Sequence, residues 1–482
     1  MIIKSIIVVF LFFGLLQSQI FQWDEPVRIS NNSEGWCTTP SICNDSNGNL
    51  YVTFGHFNHD ENNHLYFTWY DGQYWQGVDT LYNEQYYDVY HTKVLCDNDN
   101  NLHLSVEIAY GAFGRVFYMK REGNDWSDLI QISIDSLGNN WGHDMVIDDS
   151  GKIYIFFHTQ DIYYRTINDS IISEPINVTN IEEEQISAFE PSVAINSHNK
   201  IYLCYTLDDE TQRIYQIYYR EFNGAQWSDP ENLSQIDVLS GYEPNITVDN
   251  RDNPHVVWRQ KQDDYYCIFY STRYKGQWST PLNISNIPNS SSYFPKIKFY
   301  NGNPLVFYHT IYENNDRENN YSYFFDNKWS IHKFDVNINT SLRFDYLVSD
   351  LDTLHFVTRS SPPINKAYIE YVKGFNSPTS IQDSHIKNPE SLKVIVYPNP
   401  FNNKIKIDIH LNKPDEVDIK IFDVTGKVVK TILSDQLTAS GFHSITWDSK
   451  NNQGYAVSSG IYFLLLSIRN KTFYHTKLLL TK

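Results

Sequence analysis

The sequence is short of basic residues, of long apolar runs and of familiar catalytic motifs. Lysine and arginine number 38 against 57 aspartates and glutamates, which gives a formal charge of -19 at pH 7. Nucleic acids and anionic membrane surfaces require a basic footprint, so both are disfavoured as partners. Beyond the first residues, no apolar run is long enough for a membrane-spanning helix. The motifs G-x-S-x-G and H-E-x-x-H and the phosphate-binding loop are missing as well.

Cysteine is also scarce, and no metal-binding pattern is present. The five cysteines are Cys37, Cys43, Cys96, Cys204 and Cys267. Their spacing fits no zinc site, and we expect most of them to be buried thiols. A bridge between Cys37 and Cys43 stays open if the chain turns between them. Acidic stretches such as NDSNGN at residues 44–49 resemble calcium loops superficially, but their phase in the repeats favours hairpin turns. We predict neither a metal nor a cofactor.

Aromatic residues, by contrast, are abundant. They make up 16% of the chain, with 36 tyrosines and 11 tryptophans, whereas methionine occurs three times. Rings pack well on a pleated surface, so this composition favours strands over helices. A chain of 482 residues is also too long for one ordinary domain. We therefore expect an all-β protein with two or more folded units.

One phrase recurs about every fifty residues in the first three quarters of the chain. It consists of an apolar anchor, an Asp or Asn turn, an alternating strand, a tyrosine-rich strand and a Trp-Ser segment. The anchors are Ile42, Val94, Met145, Val193, Ile246, Ile297 and Leu347. Alternation flanked by Asn, Asp and Gly predicts hairpins, and each repeat supplies four strands. Seven such units predict a seven-bladed β-propeller, whose radial closure leaves few exposed sheet edges.

The seventh unit lacks its Trp-Ser strand, while a spare one stands near the start of the chain. WDEPVRIS at residues 23–30 resembles WSDPENLS at residues 227–234 and WSTPLNIS at residues 278–285. We therefore predict that residues 23–30 pair with AYIEYVK, residues 367–373, and close the ring as its N-terminal strand. Because closure would depend on this pairing, we expect deletion of residues 23–30 to cause aggregation or melting far below the full chain.

Residues 23–373 resemble the exported sialidase-like propellers of BNR type. The blades of that family share the phrases P-S-I-x-x-D-x-x-G-N and W-S-x-P-x-x-I-S, which PSICNDSNGN and WSTPLNIS match here. The Asp-box of true sialidases, S-x-D-x-G-x-x-W, is missing from every blade, and sialidases have six blades where seven units are counted. The resemblance therefore implies the fold, and a sialidase activity is not expected.

The two ends of the chain carry targeting features. Residues 1–18 have a lone cation, an apolar run and small or polar residues, which is the layout of a secretory signal peptide. After the propeller at 19–373, the polar stretch 374–391 is typical of a linker. Short alternating strands at 392–482 predict a small immunoglobulin-like β-sandwich.

The segment 392–482 closely resembles the C-terminal sorting domain of the type IX secretion system. The matching motifs are YPNPF at 397–401, DVTGK at 423–427, Trp447-Asp448, SGIY at 459–462 and the basic-apolar end from Lys477. This resemblance implies that the secretion machinery is a partner. It also implies export across the outer membrane of a Gram-negative bacterium, to the cell surface or the medium, with the sorting domain either removed or used for attachment.

Counting outward from the anchors predicts a polar site at one mouth of the propeller. The first strand begins and the second strand ends at the same end of an antiparallel pair, and these places hold different polar residues in different units. The predicted ligand-binding residues are His91, His143, His158, Glu190, Glu243, Arg259, His309 and Arg359, with Trp36, Tyr90, Trp141 and Tyr242 as aromatic platforms. Rings favour sugar faces while polar groups bond hydroxyls, so a glycan or another extracellular ligand is expected.

Each of these residues also has a structural interpretation. The histidines could be hydrogen-bonded spacers between blades. Glu190 and Glu243 occur in the matching phrases FEP and YEP and could be structural repeats of each other. Arg259 and Arg359 could neutralise buried carboxylates, because buried charges need partners.

Two catalytic interpretations remain beside a binding role. A polysaccharide lyase would use His143 or His158 as base, Tyr242 as proton donor and Arg259 against a uronate carboxylate. A glycoside hydrolase would use the glutamates of the FEP and YEP phrases as its carboxyl pair. We favour binding of a glycan or other ligand. A polysaccharide-cleaving enzyme on the same propeller is the alternative, and a purely structural surface protein is the third possibility.

Overall fold

A computed structural model describes most of the chain. The described residues are 21–31, 35–57, 63–84, 87–111, 113–168, 170–234, 240–336, 338, 343–349, 353–360, 366–376, 392–397, 399–411, 415–423, 427–438, 441–468 and 471–481. The predicted signal peptide 1–18 and all but three residues of the predicted linker 374–391 lie outside them. The chain divides into two compact units, residues 1–379 and 380–482.

The prediction of an all-β protein is confirmed. The described part of the chain contains 40 strands, one 3-10 helix at Asp135–Leu137 and no α-helix. Among the described residues, no helix has the length and apolar character needed to cross a membrane.

The first unit contains strands β1 to β33. The first seven are β1 (Phe21–Trp23), β2 (Val27–Arg28), β3 (Gly35–Cys37), β4 (Ser41–Asn44), β5 (Leu50–Phe57), β6 (Asn63–Tyr70) and β7 (Asp79–Glu84). The next ten are β8 (Asp88–Cys96), β9 (Leu102–Tyr110), β10 (Phe113–Glu122), β11 (Asp125–Trp126), β12 (Ile130–Gln131), β13 (Trp141–Ile147), β14 (Ile153–His158), β15 (Ile162–Asn168), β16 (Ile171–Ile172) and β17 (Ile176–Asn177).

The remaining sixteen strands of this unit lie between residues 186 and 376. They are β18 (Ile186–Ile195), β19 (Ile201–Asp209), β20 (Ile214–Phe222), β21 (Glu231–Asn232), β22 (Gly241–Val248), β23 (Pro254–Gln262), β24 (Tyr265–Tyr274), β25 (Gln277–Trp278), β26 (Leu282–Asn283), β27 (Ser290–Tyr300), β28 (Asn303–Tyr312), β29 (Arg317–Phe325), β30 (Lys328–Lys333), β31 (Phe344–Ser349), β32 (Thr353–Ser360) and β33 (Lys366–Asn376).

These strands form six sheets. Five are antiparallel meanders of consecutive strands: β8 to β12, β13 to β17, β18 to β21, β22 to β26 and β27 to β30. The sixth has ten strands and joins the two ends of the unit, in the order β31-β32-β33-β3-β5-β6-β7 with β1 and β2 on β33 and β4 on β5. Several separate antiparallel sheets of four or five strands are consistent with a propeller.

The turns between the first two long strands of a unit are held by an acidic or amide side chain, as the hairpin prediction required. In the first unit of the repeat, Asp45 Oδ1 accepts the backbone N–H groups of Asn47 (2.9 Å) and Asn49 (2.8 Å). Asp97, Asp148, Asn196 and Asp249 make the same pair of bonds in their own turns. The oxygens that resemble calcium ligands in the sequence therefore satisfy the turn backbone.

The N-terminal strands pair with β33, the strand that contains the predicted partner segment, residues 367–373. Trp23 lies opposite Gly374, and Val27 lies opposite Tyr371, in antiparallel register. Ser30 Oγ accepts the backbone N–H of Ile369 at 3.1 Å. β33 itself continues to Asn376, three residues beyond the predicted end of the propeller at residue 373.

The outer Trp-Ser strands of other units share this register. Trp126 lies opposite Arg121 and Ile130 opposite Tyr118, so four steps along the outer segment face three steps along β10. One residue is bulged out, and the outer strand is split into two short strands. The pairs that β1 and β2 make with β33 show the same step. The terminal hydroxyl of the phrase also repeats its bond to the third strand: Ser133 to Val116 N, Thr179 to Ile162 N, Ser234 to Ile217 N and Ser285 to Ile268 N.

The core of the first unit lies between neighbouring sheets rather than at one centre. One cluster combines residues from the β27 to β30 sheet with residues of β31, β32 and β33. Phe21 is 0% exposed in this cluster, and its ring contacts those of Tyr300 and Tyr321 at centroid distances of 4.9 and 5.3 Å. The N-terminal segment therefore contributes packing as well as backbone pairing.

The second unit consists of two sheets around a separate core. Its strands are β34 (Leu392–Tyr397), β35 (Ile405–Leu411), β36 (Asp415–Asp423), β37 (Val428–Thr438), β38 (Gly441–Trp447), β39 (Gly460–Ile468) and β40 (Lys471–Leu480). The sheets have the orders β34-β35-β38 and β37-β36-β39-β40, and both contribute alternate apolar residues to one buried cluster that includes Trp447.

All five cysteines are free thiols. Cys37 ends β3 and Cys43 lies in β4; both are buried, and no bridge joins them. Burial raises the pKa of the Cys37 thiol to about 12 and that of the Cys43 thiol well above its ordinary value. These thiols are therefore protonated and inert at neutral pH, in agreement with the buried-thiol expectation.

We predict that Phe21→Ala lowers the free energy of unfolding of the first unit by about 3–5 kcal/mol, because it removes a fully buried ring. The matched control is Phe325→Ala, since Phe325 is 60% exposed and its loss should change stability by less than about 0.5 kcal/mol. Urea unfolding followed by tryptophan fluorescence measures both. Equal stability of the two variants would contradict the packing of the N-terminal segment.

Candidate functional site

The first strands of all seven repeats surround one cavity of about 220 Å³. The residue three positions before each anchor lies in its wall, and these residues are Thr39, His91, Gly142, Glu190, Glu243, Phe294 and Phe344. The remaining wall residues are Thr92, Lys93, His143, Asp144, Pro191, Ser192, Pro244, Asn245, Pro295, Lys296 and Arg343. Counting from the anchors therefore identified the wall of this cavity.

The predicted ligand-binding residues divide into two groups. His91, His143, Glu190 and Glu243 line the cavity. The others lie outside its wall: His158, Arg259, His309, Arg359, Trp36, Trp141, Tyr90 and Tyr242. Among these, His309 is fully enclosed: it is 0% exposed, and its Nδ1 is hydrogen-bonded to Asn319 within its own sheet. The structure does not bring His309 to the cavity, since its strand turns that side chain into the sheet packing.

A backbone bulge shapes the cavity wall in four successive repeats. Gly142, Glu190, Glu243 and Phe294 all have positive φ, between 47° and 55°. Each lies where the register of its strand pair shifts. In three of them a proline follows, which has no N–H for the ladder and so forces the pair out of register. Non-glycine residues adopt this conformation rarely, so each bulge requires a compensating contact.

For three of these bulges, a glutamate of the preceding repeat supplies that contact. Glu107 accepts the backbone N–H of Gly142 at 3.0 Å, and Glu190 accepts that of Glu243 at 2.8 Å. Glu243 in turn accepts the N–H of Phe294 at 2.7 Å. The carboxylates of the FEP and YEP phrases therefore connect neighbouring repeats of the first unit. This supports the structural interpretation of Glu190 and Glu243.

Two further contacts occupy these carboxylates. The Thr206 hydroxyl donates to Glu190 at 3.0 Å, and the Arg259 guanidinium lies 3.4 Å from Glu243. Burial raises the pKa of Glu190, and it raises the pKa of Glu107 and of Glu243 to about 7, although the backbone donors and arginines act in the opposite direction. The cavity therefore carries less negative charge near neutral pH than its residue types suggest.

A second set of hydrogen bonds between repeats lies next to the anchors. In each pair a side chain one residue before an anchor, or two residues before it for Asp345, accepts the backbone N–H of the anchor in the next repeat. The pairs are Ser41 to Val94 (3.2 Å), Asp144 to Val193 (2.9 Å), Ser192 to Ile246 (3.3 Å), Asn245 to Ile297 (2.9 Å) and Asp345 to Ile42 (3.2 Å). The last of these joins the seventh repeat to the first. Lys93 Nζ adds an ion pair with Asp144 at 2.8 Å.

The cavity histidines are neutral. Burial lowers the pKa of His91 to about 3 and that of His143 to about 4. His91 Nδ1 lies 3.6 Å from Glu107, whereas neither ring nitrogen of His143 makes a hydrogen bond of good geometry with the described residues. His158 lies behind the wall, close to Gly142, and burial lowers its pKa to about 4.

A continuous row of rings borders the same end of the strands, and we name it the aromatic arc. Its members are Phe189, Tyr215, Tyr242, Tyr266, Tyr293 and Phe294, with successive centroid distances of 6.2, 4.5, 6.4, 5.9 and 6.4 Å. Every ring of the aromatic arc is half-buried. The Arg259 guanidinium lies 4.7 to 5.1 Å from three of them and holds them together through cation–π contacts.

The other predicted platforms form separate pairs. Tyr90 packs edge-on against Trp141 at 5.8 Å, and Arg359 lies over the ring of Trp36 at 5.2 Å. The sequence prediction named Tyr242 alone from the aromatic arc. The missed tyrosines 215, 266 and 293 begin third strands or precede bulges, and counting those positions in every repeat would have found them.

Arg343 is one of four charged wall residues that the sequence prediction missed, with Lys93, Asp144 and Lys296. Its guanidinium lies over the ring of Phe294 at 4.8 Å. Burial lowers its pKa, and the nearby Glu243, Glu107 and Glu190 act against that shift. The signal was its place directly before Phe344, one of the positions counted from the anchors.

The second unit matches a known family. Residues 395–481 match the family model described as a secretion system C-terminal sorting domain. The chain carries a type IX sorting domain. Its presence indicates export and a cell-surface or secreted location, and it implies contact with the secretion machinery.

Solved structures with similar folds match most of the chain at low identity. The polysaccharide lyase Uly1 gives a TM-score of 0.51 at 10% identity and covers 70% of this chain and 90% of its own. A fungal alcohol oxidase of the AA5 family, in complex with copper, gives 0.51 at 9% identity over 96% and 100%. A protein of unknown function from Dyadobacter fermentans gives 0.49 at 12% identity over 74% and 100%. The first two likenesses concern a propeller-like fold alone. A sequence search of curated proteins found no match.

We predict that Glu107 makes the stability of the first unit fall as pH rises. Its pKa is about 7 when folded and about 4.3 when unfolded, so the folded state binds the extra proton and loses that advantage between about pH 4.5 and 7. Between pH 5 and 8 the free energy of unfolding, measured by urea titration, should fall more in the parent chain than in Glu107→Gln. The difference should be on the order of 2–3 kcal/mol. The exposed control, Glu210→Gln, should follow the parent chain. Identical pH profiles for all three proteins would contradict the burial of Glu107.

Proposed function

We propose that the first unit is a seven-bladed propeller, residues 19–373, closed by its N-terminal strands and followed by a linker at 374–391 and an immunoglobulin-like sorting domain at 392–482. Three observations support closure. β1 and β2 lie on β33 in the register of the other outer strands. Phe21 packs between the last two repeats, and Asp345 accepts the N–H of Ile42 across the junction. The repeat phrases resemble BNR-type propellers, which supports the same architecture.

We further propose that the exported propeller binds a glycan at the mouth formed by the cavity and the aromatic arc. The observation that supports this most strongly is the aromatic arc itself, because a row of half-exposed rings beside a polar cavity suits the apolar faces and the hydroxyls of successive sugars. A row that served packing alone would be covered. The sorting domain would deliver this binding surface to the cell exterior.

Cleavage of a polysaccharide is the second candidate, and His143 is the observation that favours it. Its side chain lines the cavity, and histidine is the most common general base, although both of its ring nitrogens are buried. Three observations favour binding instead. Glu190 and Glu243 are occupied by hydrogen bonds between repeats, Arg259 is held by Glu243 and the aromatic arc, and burial holds the pKa of His143 at about 4, which makes it a weak base.

We predict that Tyr242→Ala and Tyr266→Ala each weaken glycan binding by about tenfold, because one stacking surface is worth roughly 1–3 kcal/mol. Tyr274→Ala is the matched control: Tyr274 lies on the same strand as Tyr266, at its other end, and is 58% exposed. A glycan array identifies the ligands, and titration calorimetry with the full chain measures each variant.

A product assay on the array hits separates the two candidates. Binding without products supports the binding role, whereas unsaturated or reducing ends that disappear in His143→Ala support cleavage. The proposal of a glycan-binding mouth fails if no glycan binds, or if Tyr274→Ala weakens binding as much as the two variants of the aromatic arc.

A further inference from the structure

Two cations of the cavity wall have no ion-pair or hydrogen-bond partner among the residues that the structure describes. Arg343 and Lys296 both line the wall and are half-buried. Neither side chain makes an ion pair or hydrogen bond with the described residues, although Lys93 beside them is paired with Asp144. Buried or half-buried charges normally have partners, so two unpaired cations facing one small space indicate room for an anion.

The carboxylates of the cavity do not fill that role, because each already has another bond. Glu107, Glu190 and Glu243 accept backbone N–H groups of the next unit, and Asp144 accepts two N–H groups and Lys93. Arg343 lies over the Phe294 ring instead of pairing with any of them at ion-pair distance. The attraction of these glutamates keeps Arg343 charged without occupying its donors.

The shape of the mouth indicates which part of a ligand reaches the cations. A cavity of about 220 Å³ is smaller than the roughly 300–1,000 Å³ typical of sites that enclose a whole small molecule. It therefore has room for one sugar residue and not for a chain. The aromatic arc ends at Phe294, directly beneath Arg343. A chain lying along the aromatic arc would thus bring its last residue to the guanidinium.

We infer that the cavity binds the terminal sugar of a glycan chain through an anionic substituent, a carboxylate or a sulfate ester, held by Arg343 and Lys296. This inference rests on the proposed glycan-binding mouth and names its ligand class. The planar guanidinium suits two oxygens of one anion, and the lysine adds a point charge. The neutral ring of His91, whose side chain is partly exposed in the cavity wall, remains to bond a hydroxyl of the same sugar.

The test compares acidic oligosaccharides with neutral partners of the same length. The probes are uronic-acid trisaccharides against their carboxyl methyl esters, and trisaccharides with a terminal sulfate against their desulfated forms, titrated calorimetrically into the full chain. We expect the acidic member of at least one pair to bind about tenfold more tightly or better, with a preference that shrinks as salt is raised. The pair that shows the preference distinguishes carboxylate from sulfate.

Two variants and one control assign the preference to the cavity. Arg343→Gln should remove it and leave the neutral partner unaffected, and Lys296→Gln should reduce it several-fold. Arg251→Gln, in an exposed turn between β22 and β23, should retain it. Lys296→Gln keeps the test decisive if Arg343→Gln proves unstable.

Each outcome has a distinct meaning. Equal binding of acidic and neutral partners by the parent chain, or an unchanged preference in both variants, overturns the anion site and leaves the glycan-binding mouth standing. Failure of every saccharide to bind overturns both proposals. Loss of the preference in Arg343→Gln or Lys296→Gln, with neutral binding and the Arg251→Gln control intact, supports the inference.

Discussion

The pairing of the N-terminal strands with β33 is the contact on which the rest of the first unit depends. It joins segments more than 340 residues apart, Trp23 with Gly374 and Val27 with Tyr371. In the proposed ring, every other sheet touches only its neighbours, so this junction alone decides whether the seven first strands surround a common space. The cavity, whose wall contains both Thr39 of the first repeat and Phe344 of the last, depends on that arrangement.

Polar side chains then connect each repeat to the next. Each of these hydrogen bonds runs from a side chain of one repeat to a backbone N–H of the next, as in Glu190 to Glu243 and Asp345 to Ile42. Such bonds are directional, and removing one partner leaves a buried polar group unsatisfied. The same residues that look catalytic in the sequence are thus used to align backbone, so the proposed recognition falls to the rings of the aromatic arc and the cations of the cavity wall.

Much of the fold could be predicted from the sequence, because hairpin turns and Trp-Ser phrases are local patterns. Strand β33, the outer segment at residues 23–30 and the wall position of Glu190 were all found by counting. The role of Glu190 could not be predicted. Its partner is a backbone N–H of another repeat, and every residue type except proline has that group. Arg343 was missed since its repeat lacks the proline phrase that draws attention to its neighbours. His309 was assigned to the mouth on position alone, and only the packing of its sheet shows it to be enclosed.

The most direct test of the account is a cross-link at the junction. Gln22 lies opposite Phe375, and directly opposed strand residues have Cα atoms about 4.5–5.5 Å apart, within reach of a disulfide. The account predicts that Gln22→Cys with Phe375→Cys forms a bridge on mild oxidation, detected as a linked peptide by mass spectrometry, and that Gln22→Cys with Lys373→Cys, offset by two residues, forms far less. Absence of the first bridge, or equal yield from the offset pair, would contradict it.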